Sequence, residues 1–476
     1  MINFKYLFVL PIMAALFAYF YPTYFNYEDD TNERLQQVLS GLLRAEKKIV
    51  QPKVKVAIGF GGCKDMFVDG FKLLDALNYS APENPEHFVS VHTQEELTKM
   101  MAYFFQHGAA AERYIHNDTL FSELKKAAKG ISGYREEVGG NAPAMAQRMA
   151  TDGAEVLLAA KMSEETLKLL HPSLKIVGDV LEEDDIHLIL EYKTGDKWGK
   201  FTSPRANRFI VHSDNSNPYL ETLEDLEKSI LKFDPSVLVV GGLQMMDNFP
   251  FKNGEMDARI SKLRSLLSTL PQKINTHFEM ASFTDPVLMQ QIISNVVVYS
   301  DSLGMNEQEL PNLVSMLQYG NISLLSDAYP RVASVLDQMR LVYKLLKNTK
   351  EENGQRKLTR LHVHTLAYQA ILTTKGSSWK NTMSATAKAS LTAHRHVCGS
   401  NYIHTDKSKL LMDDSFSSSI SSSSTRISVH ENRPVSCWEE DDYQICVAPV
   451  LVCTEVRQTA GGGDNISSAG LLVQVY

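Results

Sequence analysis

The sequence is poor in several features that would define its class at once. It has 5 cysteines in 476 residues, which are too few and too scattered for a disulfide scaffold. Its formal net charge is −8, so it lacks the basic excess that a nucleic-acid surface requires. It contains neither a G-x4-GK-[ST] phosphate loop nor the protein-kinase motifs, so the usual nucleotide-binding signatures are missing. What is left is an ordinary globular composition, long enough for one large core or about two to three domains.

The few cysteines can still pair with one another. Cys446 and Cys453 are close enough in the chain to form a disulfide. The alternative, which we favour, is that the cysteines are buried free thiols in strands.

One long hydrophobic run is present, near the N-terminus. Residues 6–27 carry no charged side chain, Lys5 precedes them and three acidic residues follow. A basic flank before an apolar stretch is typical of a secretory signal, and the run approaches the ~20 residues that span a bilayer. We therefore expect residues 1–27 to be a signal peptide or signal anchor, and residues 28–476 to be lumenal or secreted. The alternative is a buried core helix.

Apolar runs of strand length alternate with helical patterns along the rest of the chain. The runs cover residues 54–60, 154–160, 186–192, 207–213, 236–243, 274–282, 295–302 and 360–366, with predicted helices at Leu220–Phe233, Asp257–Thr269 and Val332–Asn348. This alternation predicts an α/β domain with a mostly parallel sheet, whose ligands bind at the carboxyl ends of the strands. Residues 66–130 and 182–215 fit the alternation less well, and we expect them to form a small lid. The serine-rich stretch Ser415–Arg426 is predicted to be a flexible surface loop.

Three consecutive glycines and an aspartate stand near the C-terminus, in "TAGGGDNISSAG". Glycines directly before a helix leave backbone N–H groups free to bind an anion, and the helix dipole adds positive potential. In that position Asp464 can take a proton from a substrate hydroxyl while the N–H groups of Gly461, Gly462 and Gly463 hold the developing charge. The alternative is that Asp464 only caps the helix.

Three other stretches favour the catalytic interpretation. Gly139–Asn141 precedes a helical pattern and can bring bare backbone and an amide close to a polyol, although Gly-Gly-Asn is also a common turn. Glu279 lies between apolar neighbours in "THFEMAS", where either a Mg²⁺ ion or a buried salt bridge would offset the cost of burying its charge. Asn306 and Glu309 lie three apart at a predicted helix start, on one face, with plain capping as the alternative.

Taken in order, these motifs resemble the ribokinase-like sugar kinases. The stretches "GAAAERY", "IHLILEY", "ANRFI", "HFEMAS", "SLGMNEQEL" and "RLHVHTLAY" are more specific. They are similar to the ADP-dependent glucokinase family in its animal form, which carries an N-terminal secretory segment. The likeness runs from about residue 53 to the C-terminus.

The resemblance implies a doubly wound α/β domain with a small lid that closes over sugar. It implies that the β-phosphoryl group of ADP passes to the 6-hydroxyl of glucose, leaving AMP, with one Mg²⁺ ion. It makes Asp464 the base, Gly461, Gly462 and Gly463 the anion hole, and Glu279, Glu309 and Asp464 the metal-site carboxylates. The implied sugar-side positions are Asp65, Glu112, Gly139, Gly140, Asn141 and His187. The implied nucleotide-side positions are Arg208, Asn306 and His364.

The chain departs from the family pattern at three positions. Gly61 stands where an asparagine is usual, which removes an amide from the sugar pocket. Gly462 replaces a usual leucine and Asn465 a usual alanine, and a loop softened by these residues would hold Asp464 less rigidly and weaken the activity.

Two alternatives to a glucokinase stay open on the sequence. The first is the same chemistry on fructose 6-phosphate, against which Glu112 argues because a carboxylate repels a second phosphate. The second is a non-catalytic relative that binds sugar or nucleotide. For either enzyme we expect a monomer that binds sugar and ADP, binds no nucleic acid, and meets the membrane only through its N-terminal segment.

Overall fold

The structure is a computed structural model, and it describes residues 31–46, 54–324, 326–347 and 354–475. The predicted signal or anchor segment, residues 1–27, lies outside these ranges. None of the helices within them has both the length and the apolar character needed to span a bilayer.

Twenty-one strands and thirteen α-helices make up the described ranges. The strands are β1 Lys55–Gly59, β2 Cys63–Asp69, β3 Ala111–Tyr114, β4 Arg135–Gly139, β5 Glu155–Ala159, β6 Lys175–Val177, β7 Ile186–Tyr192, β8 Lys197–Trp198, β9 Phe201–Thr202, β10 Asn207–His212, β11 Val237–Val240, β12 Asn275–Glu279, β13 Ser302–Asn306, β14 Arg360–His364, β15 Tyr368–Thr374, β16 Ser408–Lys409, β17 Ser415–Ser417, β18 Arg426–Ser428, β19 Ser436–Glu440, β20 Tyr443–Pro449 and β21 Val452–Cys453. The helices are α1 31–46, α2 Gly70–Ala76, α3 Gln94–His107, α4 Asp118–Ala128, α5 Asn141–Thr151, α6 Glu164–Leu167, α7 Leu223–Phe233, α8 Glu255–Thr269, α9 Pro286–Asn295, α10 Glu309–Tyr319, α11 Val332–Leu346, α12 Thr382–Cys398 and α13 Gly462–Gln474.

The large domain is built on a ten-stranded sheet in the order β19-β20-β15-β14-β13-β12-β11-β1-β5-β6. The strands from β14 to β6 in this order pair in parallel, while β15, β20 and β19 form an antiparallel edge. The chain runs outward from β1 to β5 and β6, and then restarts on the other side of β1 at β11. That reversal is a topological switch point, and such a sheet opens a binding crevice beyond the carboxyl ends of its strands.

Both faces of this sheet are covered by helices, which explains why its central strands are apolar throughout. Val56 and Ile58 face a core shared with α5 and α13, whereas Ala57, between them, faces the opposite core. The opposite core receives the apolar sides of α7 through α11. The three predicted helices correspond to α7, α8 and α11, with ends shifted by at most three residues.

A second sheet of five strands, in the order β3-β10-β7-β2-β4, forms a smaller domain. Its own core lies beneath α2, α3 and α4 and includes Leu73, Phe105 and Leu124. The strands of this sheet come from residues 63–139 and 186–212, which overlap the two stretches assigned to a lid. The first part of the small domain therefore spans residues 63–139, and so is longer at both ends than the predicted residues 66–130.

Two local predictions are wrong. The run 295–302 is not a strand, because Val297–Tyr299 forms a buried 3₁₀ turn and the strand β13 begins only at Ser302. The serine-rich stretch is not simply a loop, because its two ends pair as β17 and β18.

The prediction of free cysteines in strands is also wrong. Disulfides join Cys398 to Cys453 and Cys437 to Cys446, and only Cys63 is free and buried in the described ranges. Cys446 pairs across the β19–β20 ladder rather than with Cys453, because Cys437 lies directly opposite it in the register.

Candidate active site

Three neighbouring parallel strands end in polar residues at the same edge of the large sheet. Glu279 is the last residue of β12, Asn306 the last of β13 and His364 the last of β14. Parallel strands place their carboxyl ends side by side, so these residues lie together at the crevice. All three line one cleft of about 560 Å³.

The glycine run begins α13 and faces the same cleft. Gly461 is the N-cap, with a φ of +67° that favours glycine, and the first turn of the helix leaves its N–H groups without partners inside the helix. The backbone N–H and the side-chain Nδ2 of Asn465 both donate to the carbonyl of Gly461, at 3.1 and 2.9 Å. Asn465 therefore braces the turn that it was expected to soften.

Asp464 is the third residue of α13 and not its cap, because the cap position is occupied by Gly461. Its Oδ1 accepts a hydrogen bond from Nδ2 of Asn141 at 2.8 Å. Burial, reinforced by the nearby charge of Glu279, raises the pKa of Asp464 to about 7. A carboxyl group with that pKa is suited to accept a proton near neutral pH.

Glu279 is buried and accepts three hydrogen bonds. Nε2 of His364 donates to its Oε1 at 3.2 Å, and Nε2 of His277 donates to its Oε2 at 3.0 Å. The hydroxyl of Ser467 donates to Oε2 at 2.5 Å. Burial alone would raise the pKa of Glu279, but the bonds from the two histidines outweigh it and hold the pKa well below its usual range.

Glu309 is a second buried carboxyl group in the same cleft, and Asn306 holds it in place. The backbone N–H of Asn306 donates to Oε2 of Glu309 and its Nδ2 donates to Oε1, both at 2.8 Å. The Oδ1 of Asn306 in turn accepts the backbone N–H of Glu309, so the predicted capping contact is also made. Burial raises the pKa of Glu309 to about 8.

The donor set of Glu279, Glu309 and Asp464 fits a hard cation, because carboxylate oxygens are the ligands that Mg²⁺ prefers. Within the described ranges, two sets of three metal-ligating atoms lie close together, in Cys63–Asp65–His187 and in His187–His212–Asp214. Glu279, Glu309 and Asp464 do not form such a set, so they are too far apart to enclose an ion by themselves. That spacing suits an ion that keeps several water ligands, as Mg²⁺ usually does.

A second cavity, of about 300 Å³, adjoins the cleft. All of the sugar-side positions implied by the resemblance line it, namely Asp65, Glu112, Gly139, Gly140, Asn141 and His187. Asp65 comes from β2, Glu112 from β3 and His187 from β7, so the small domain supplies one wall of the cavity. Burial raises the pKa of Asp65 to about 6.

His187 is held between two carboxylates. Its Nε2 lies 2.9 Å from Asp214 and its Nδ1 lies 3.4 Å from Glu112. Burial would lower the pKa of His187, but the charge of Asp214 outweighs it and raises the pKa to about 10. His187 is therefore a cation that holds Asp214 through a hydrogen bond and Glu112 through an ion pair.

Gly139 and Gly140 are glycines because other atoms approach them closely. A Cβ at Gly139 would lie 1.9 Å from Oδ1 of Asp65. A Cβ at Gly140, where φ is +88°, would lie 1.9 Å from the carbonyl oxygen of Gly61. These two glycines let the start of α5, and with it Asn141, reach the cavity.

The cleft and the smaller cavity meet at Asp464. Both are lined by Glu112, Asn141, Arg208, Ile210, Gln244, Gly461 and Asp464. Arg208, on β10, points its guanidinium to this boundary, and its Nε has no hydrogen-bond partner among the described residues. A phosphate in the cleft and a hydroxyl in the cavity would both be within reach of this junction.

Several residues of the site were not predicted from the sequence. His277 could have been found, because it lies two residues before Glu279 on a strand and therefore on the same face. Gly304 leaves room for the carboxylate of Glu279, because a Cβ there would lie 2.1 Å from Oε2 of Glu279. The sequence around Gly304 does not indicate this contact. Ser467, Gln244 and Asp214 reach the site only through the tertiary fold.

The sequence matches a known family over most of its length. The family model for the ADP-specific phosphofructokinase/glucokinase conserved region matches residues 54–473. The chain is 33% identical to the ADP-dependent glucokinase of Bos taurus over 422 residues, covering 88% of this chain and 84% of that protein. It is 30% identical to the probable ADP-dependent glucokinase of Caenorhabditis elegans over 487 residues, covering 98% and 94%.

Solved structures share the fold at low sequence identity. An ADP-dependent kinase in complex with fructose-6-phosphate and ADPbetaS superimposes with a TM-score of 0.66 at 17% identity, covering 93% of this chain and 97% of that chain. A phosphofructokinase from Pyrococcus horikoshii with AMP gives a TM-score of 0.58 at 17% identity, covering 89% and 98%. These likenesses confirm the predicted doubly wound α/β fold with a mostly parallel sheet.

Proposed function

Since this chain belongs to the ADP-specific phosphofructokinase and glucokinase family, we propose that it transfers the β-phosphoryl group of ADP to the 6-hydroxyl of glucose. The products are glucose 6-phosphate and AMP. The observation that carries this proposal is the position of Asp464, whose carboxyl group lies where the sugar-sized cavity opens into the larger cleft. A base at that boundary can touch an acceptor hydroxyl on one side and face a phosphoryl donor on the other.

The reaction needs little more than positioning and charge stabilisation. Asp464 takes the proton of the 6-hydroxyl while Asn141 holds its other carboxylate oxygen in place. The sugar oxygen forms a bond to the β-phosphorus as the bond from that phosphorus to the bridging oxygen of AMP breaks. The N–H groups at the start of α13 point at the transferred group and bind its negative charge.

Asp65, Glu112 and His187 orient the sugar from the small domain, and Arg208 faces the phosphates. Glu279, Glu309 and Asp464 would hold the Mg²⁺ ion, which when bound neutralises charge on the phosphoryl oxygens. His364 fixes Glu279 in this arrangement, and Asn306 fixes Glu309.

The charges of the smaller cavity favour glucose over fructose 6-phosphate. Among the described residues that line it, the cations are Arg148, Arg208 and His187. Arg148 is paired with Asp152, the C-cap of its own helix, and His187 lies between two carboxylates. Arg208 also faces the cleft, so a second phosphate on the sugar would find Glu112 and Asp65 rather than a free basic cluster.

A coupled assay tests the proposal. The purified protein should produce glucose 6-phosphate from glucose, Mg²⁺ and ADP, with little product when ATP replaces ADP or when fructose 6-phosphate replaces glucose. Tight sugar and nucleotide binding without turnover would support the non-catalytic alternative instead.

Localisation in the secretory pathway belongs to the same proposal and rests on the apolar run alone. Residues 1–27 are proposed to direct the protein into the lumen, as a cleaved signal or a retained anchor. Translation with microsomes, with and without these residues, should show protease protection that depends on them. Full sensitivity to protease in both cases would rule the proposal out.

A further inference from the structure

Gln244 lies at the junction of the two cavities without a role in the chemistry described so far. It follows β11 at the carboxyl end of the parallel sheet, is buried, and lines both the cleft and the smaller cavity. Its Nε2 donates a hydrogen bond to Oδ1 of Asn141 at 2.7 Å. Asn141 is the residue that donates to Asp464, so Gln244 is one amide removed from the base.

The direction of this hydrogen-bond chain is fixed at one end. When Asp464 is ionised its carboxylate can only accept, so Asn141 presents its Nδ2 to it. The oxygen of Asn141 then faces Gln244, which can only answer with its own Nε2. The amide oxygen of Gln244 is thereby left as the free end of the chain.

That oxygen has no partner. Oε1 of Gln244 is buried and accepts no hydrogen bond from any of the described residues. A buried acceptor without a donor is unfavourable, and native proteins rarely keep one unless something fills the place. The position at the cavity junction makes a ligand the natural donor.

The hydrogen-bonding groups of the two substrates decide which of them donates to Oε1 of Gln244. Phosphoryl oxygens are acceptors and would repel an amide oxygen, whereas each hydroxyl of a sugar can donate. We propose that Gln244 is a further sugar-binding residue, whose amide oxygen accepts a hydrogen bond from a sugar hydroxyl while its amide nitrogen orients Asn141 against Asp464. The inference rests on the proposed sugar-kinase function and assigns a new residue to it.

Two substitutions separate the two halves of this role. Gln244→Met keeps the length of the side chain and removes both the acceptor and the donor. Gln244→Glu keeps an acceptor oxygen but removes the donor, so it should disturb Asn141 while leaving the sugar contact in place. Gln290→Met is the matched control, because Gln290 is exposed on α9 and makes only a local bond to Ser294.

The two variants should differ in how strongly they affect glucose affinity and kcat. Gln244→Met should weaken glucose binding, measured by calorimetry without nucleotide, by about tenfold, the usual worth of one good hydrogen bond. It should also lower kcat. Gln244→Glu should lower kcat with a smaller loss of glucose affinity, and the dissociation constant for ADP should stay unchanged in both. Gln290→Met should match the wild type in every measurement.

Deoxyglucose analogues identify the hydroxyl. For the one that Gln244 binds, the deoxy analogue should bind the wild type about tenfold more weakly than glucose does, and Gln244→Met should show no such difference. Wild-type glucose affinity in Gln244→Met, or equal losses with every analogue in both proteins, would overturn the assignment. Failure of the wild type to bind glucose at all would overturn the proposed function instead, so the two failures are distinguishable.

Discussion

Two buried carboxyl groups, Glu279 and Glu309, and the half-buried Asp464 face one cleft, yet their surroundings move their pKa values in different directions. Burial raises the pKa of Asp464 to about 7 and that of Glu309 to about 8. Glu279 is less exposed than Asp464, but its hydrogen bonds from two histidines keep it ionised. Groups with separated pKa values in one site can divide the work of a reaction. Here Glu279 is a permanent charge, and Asp464 is the group able to exchange a proton.

Replacing Asp464 by asparagine should abolish most of the activity and leave the fold intact. The amide has the size of the carboxyl and keeps an oxygen for Asn141, but it cannot accept a proton, so kcat should fall ~10²–10⁴-fold. Because the pKa of Asp464 is raised on folding, ionisation of the buried group opposes folding at neutral pH, and its removal should not lower the melting temperature.

Steady-state kinetics and thermal melts of Asp464→Asn measure both effects. Asp413→Asn, at an exposed position, is the control for the same chemical change. If Asp464→Asn turned over at the wild-type rate, the proposed role of the base would be wrong.

Gly463 and Gly462 are adjacent on α13 but should respond differently to a side chain. A Cβ at Gly463 would lie 2.8 Å from Cε1 of His364, which must then shift and disturb its bond to Glu279. A Cβ at Gly462 would make only an ordinary contact, 3.8 Å from His396. Gly463→Ala, and to a greater extent Gly463→Val, should therefore impair both nucleotide binding and kcat.

Gly462→Ala is the matched comparison. It should lose far less activity and stabilise the helix by up to about 1 kcal/mol. Kinetics and melts on both variants test the contrast, and equal damage from the two substitutions would contradict this account of the glycine run.

The two glutamates should differ in stability when each is changed to glutamine. The three groups that bond to the carboxylate of Glu279 are all hydrogen-bond donors. In Glu279→Gln one of them would face the amide N–H₂, which is also a donor, and this should lower the free energy of unfolding by about 1–3 kcal/mol. Glu309, with its pKa near 8, is largely protonated at pH 7 in the ligand-free protein, and glutamine resembles that form. One of its two bonds from Asn306 would also face the new amide N–H₂, but no permanent charge is lost, so Glu309→Gln should lower the melting temperature less than Glu279→Gln does.

Glu279→Gln and Glu309→Gln should differ less in activity than in stability. Both substitutions should raise the Mg²⁺ concentration needed for half-maximal rate, because each replaces a carboxylate oxygen that would bind the ion or its waters by an amide nitrogen that cannot. Glucose affinity should change little. A Mg²⁺ titration that is unchanged in both variants would leave Glu279 as a structural ion-pair partner only.

At the scale of the elements, sequence patterns located the strand ends better than the contacts between them. The apolar run at residues 274–282, which contains Glu279, predicted both the strand β12 and a carboxyl group needing a partner, since burial of an unpaired charge is costly. The partner Ser467 lies 188 residues further along the chain, and no local pattern reveals it. The run at residues 295–302 was wrongly predicted to be a strand because it is rich in β-branched residues, which favour strands. In the structure its residues 297–299 form a 3₁₀ turn that packs into the core.

The disulfides show the same limit and carry a prediction about stability. Cys398–Cys453 closes a loop with a sequence separation of 55, and Cys437–Cys446 one of 9. Chain entropy in the unfolded state makes the longer loop worth about 4 kcal/mol and the shorter one about 2.5 kcal/mol. Replacing the first pair by serines should therefore lower the free energy of unfolding more than replacing the second pair.

Chemical denaturation of the two double variants without reductant measures this difference. Cys453 also lines the cleft, so the first double variant should raise the KM for ADP as well. The second pair joins β19 to β20 at the edge of the sheet and should leave that KM unchanged. The reverse order of stabilities would show that local strain, rather than loop length, governs these bonds.

At the scale of the whole molecule, the sugar cavity belongs to two domains at once. The five-stranded sheet supplies Asp65, Glu112 and His187, while the large domain supplies Asn141 and Asp464. The chain passes between the two domains near Gly61 and Gly62, and Asn217 ties that crossing by bonding the N–H and carbonyl of Gly62. A ligand that contacts both walls stabilises whichever arrangement brings them together.

Glucose should therefore draw the two domains closer together. The radius of gyration from small-angle X-ray scattering should fall when glucose is added, because the hydroxyls of one sugar bond to carboxylates of the small domain and to Asn141 of the large domain simultaneously. Asp464→Asn allows the same measurement with glucose and ADP together, since it should bind both without turnover. Fructose 6-phosphate is the control, because Glu112 repels its phosphate and little compaction is expected. An unchanged radius at glucose concentrations that saturate binding would mean that the cavity is already closed, and that Asp65, Glu112 and His187 meet the sugar without any movement of the small domain.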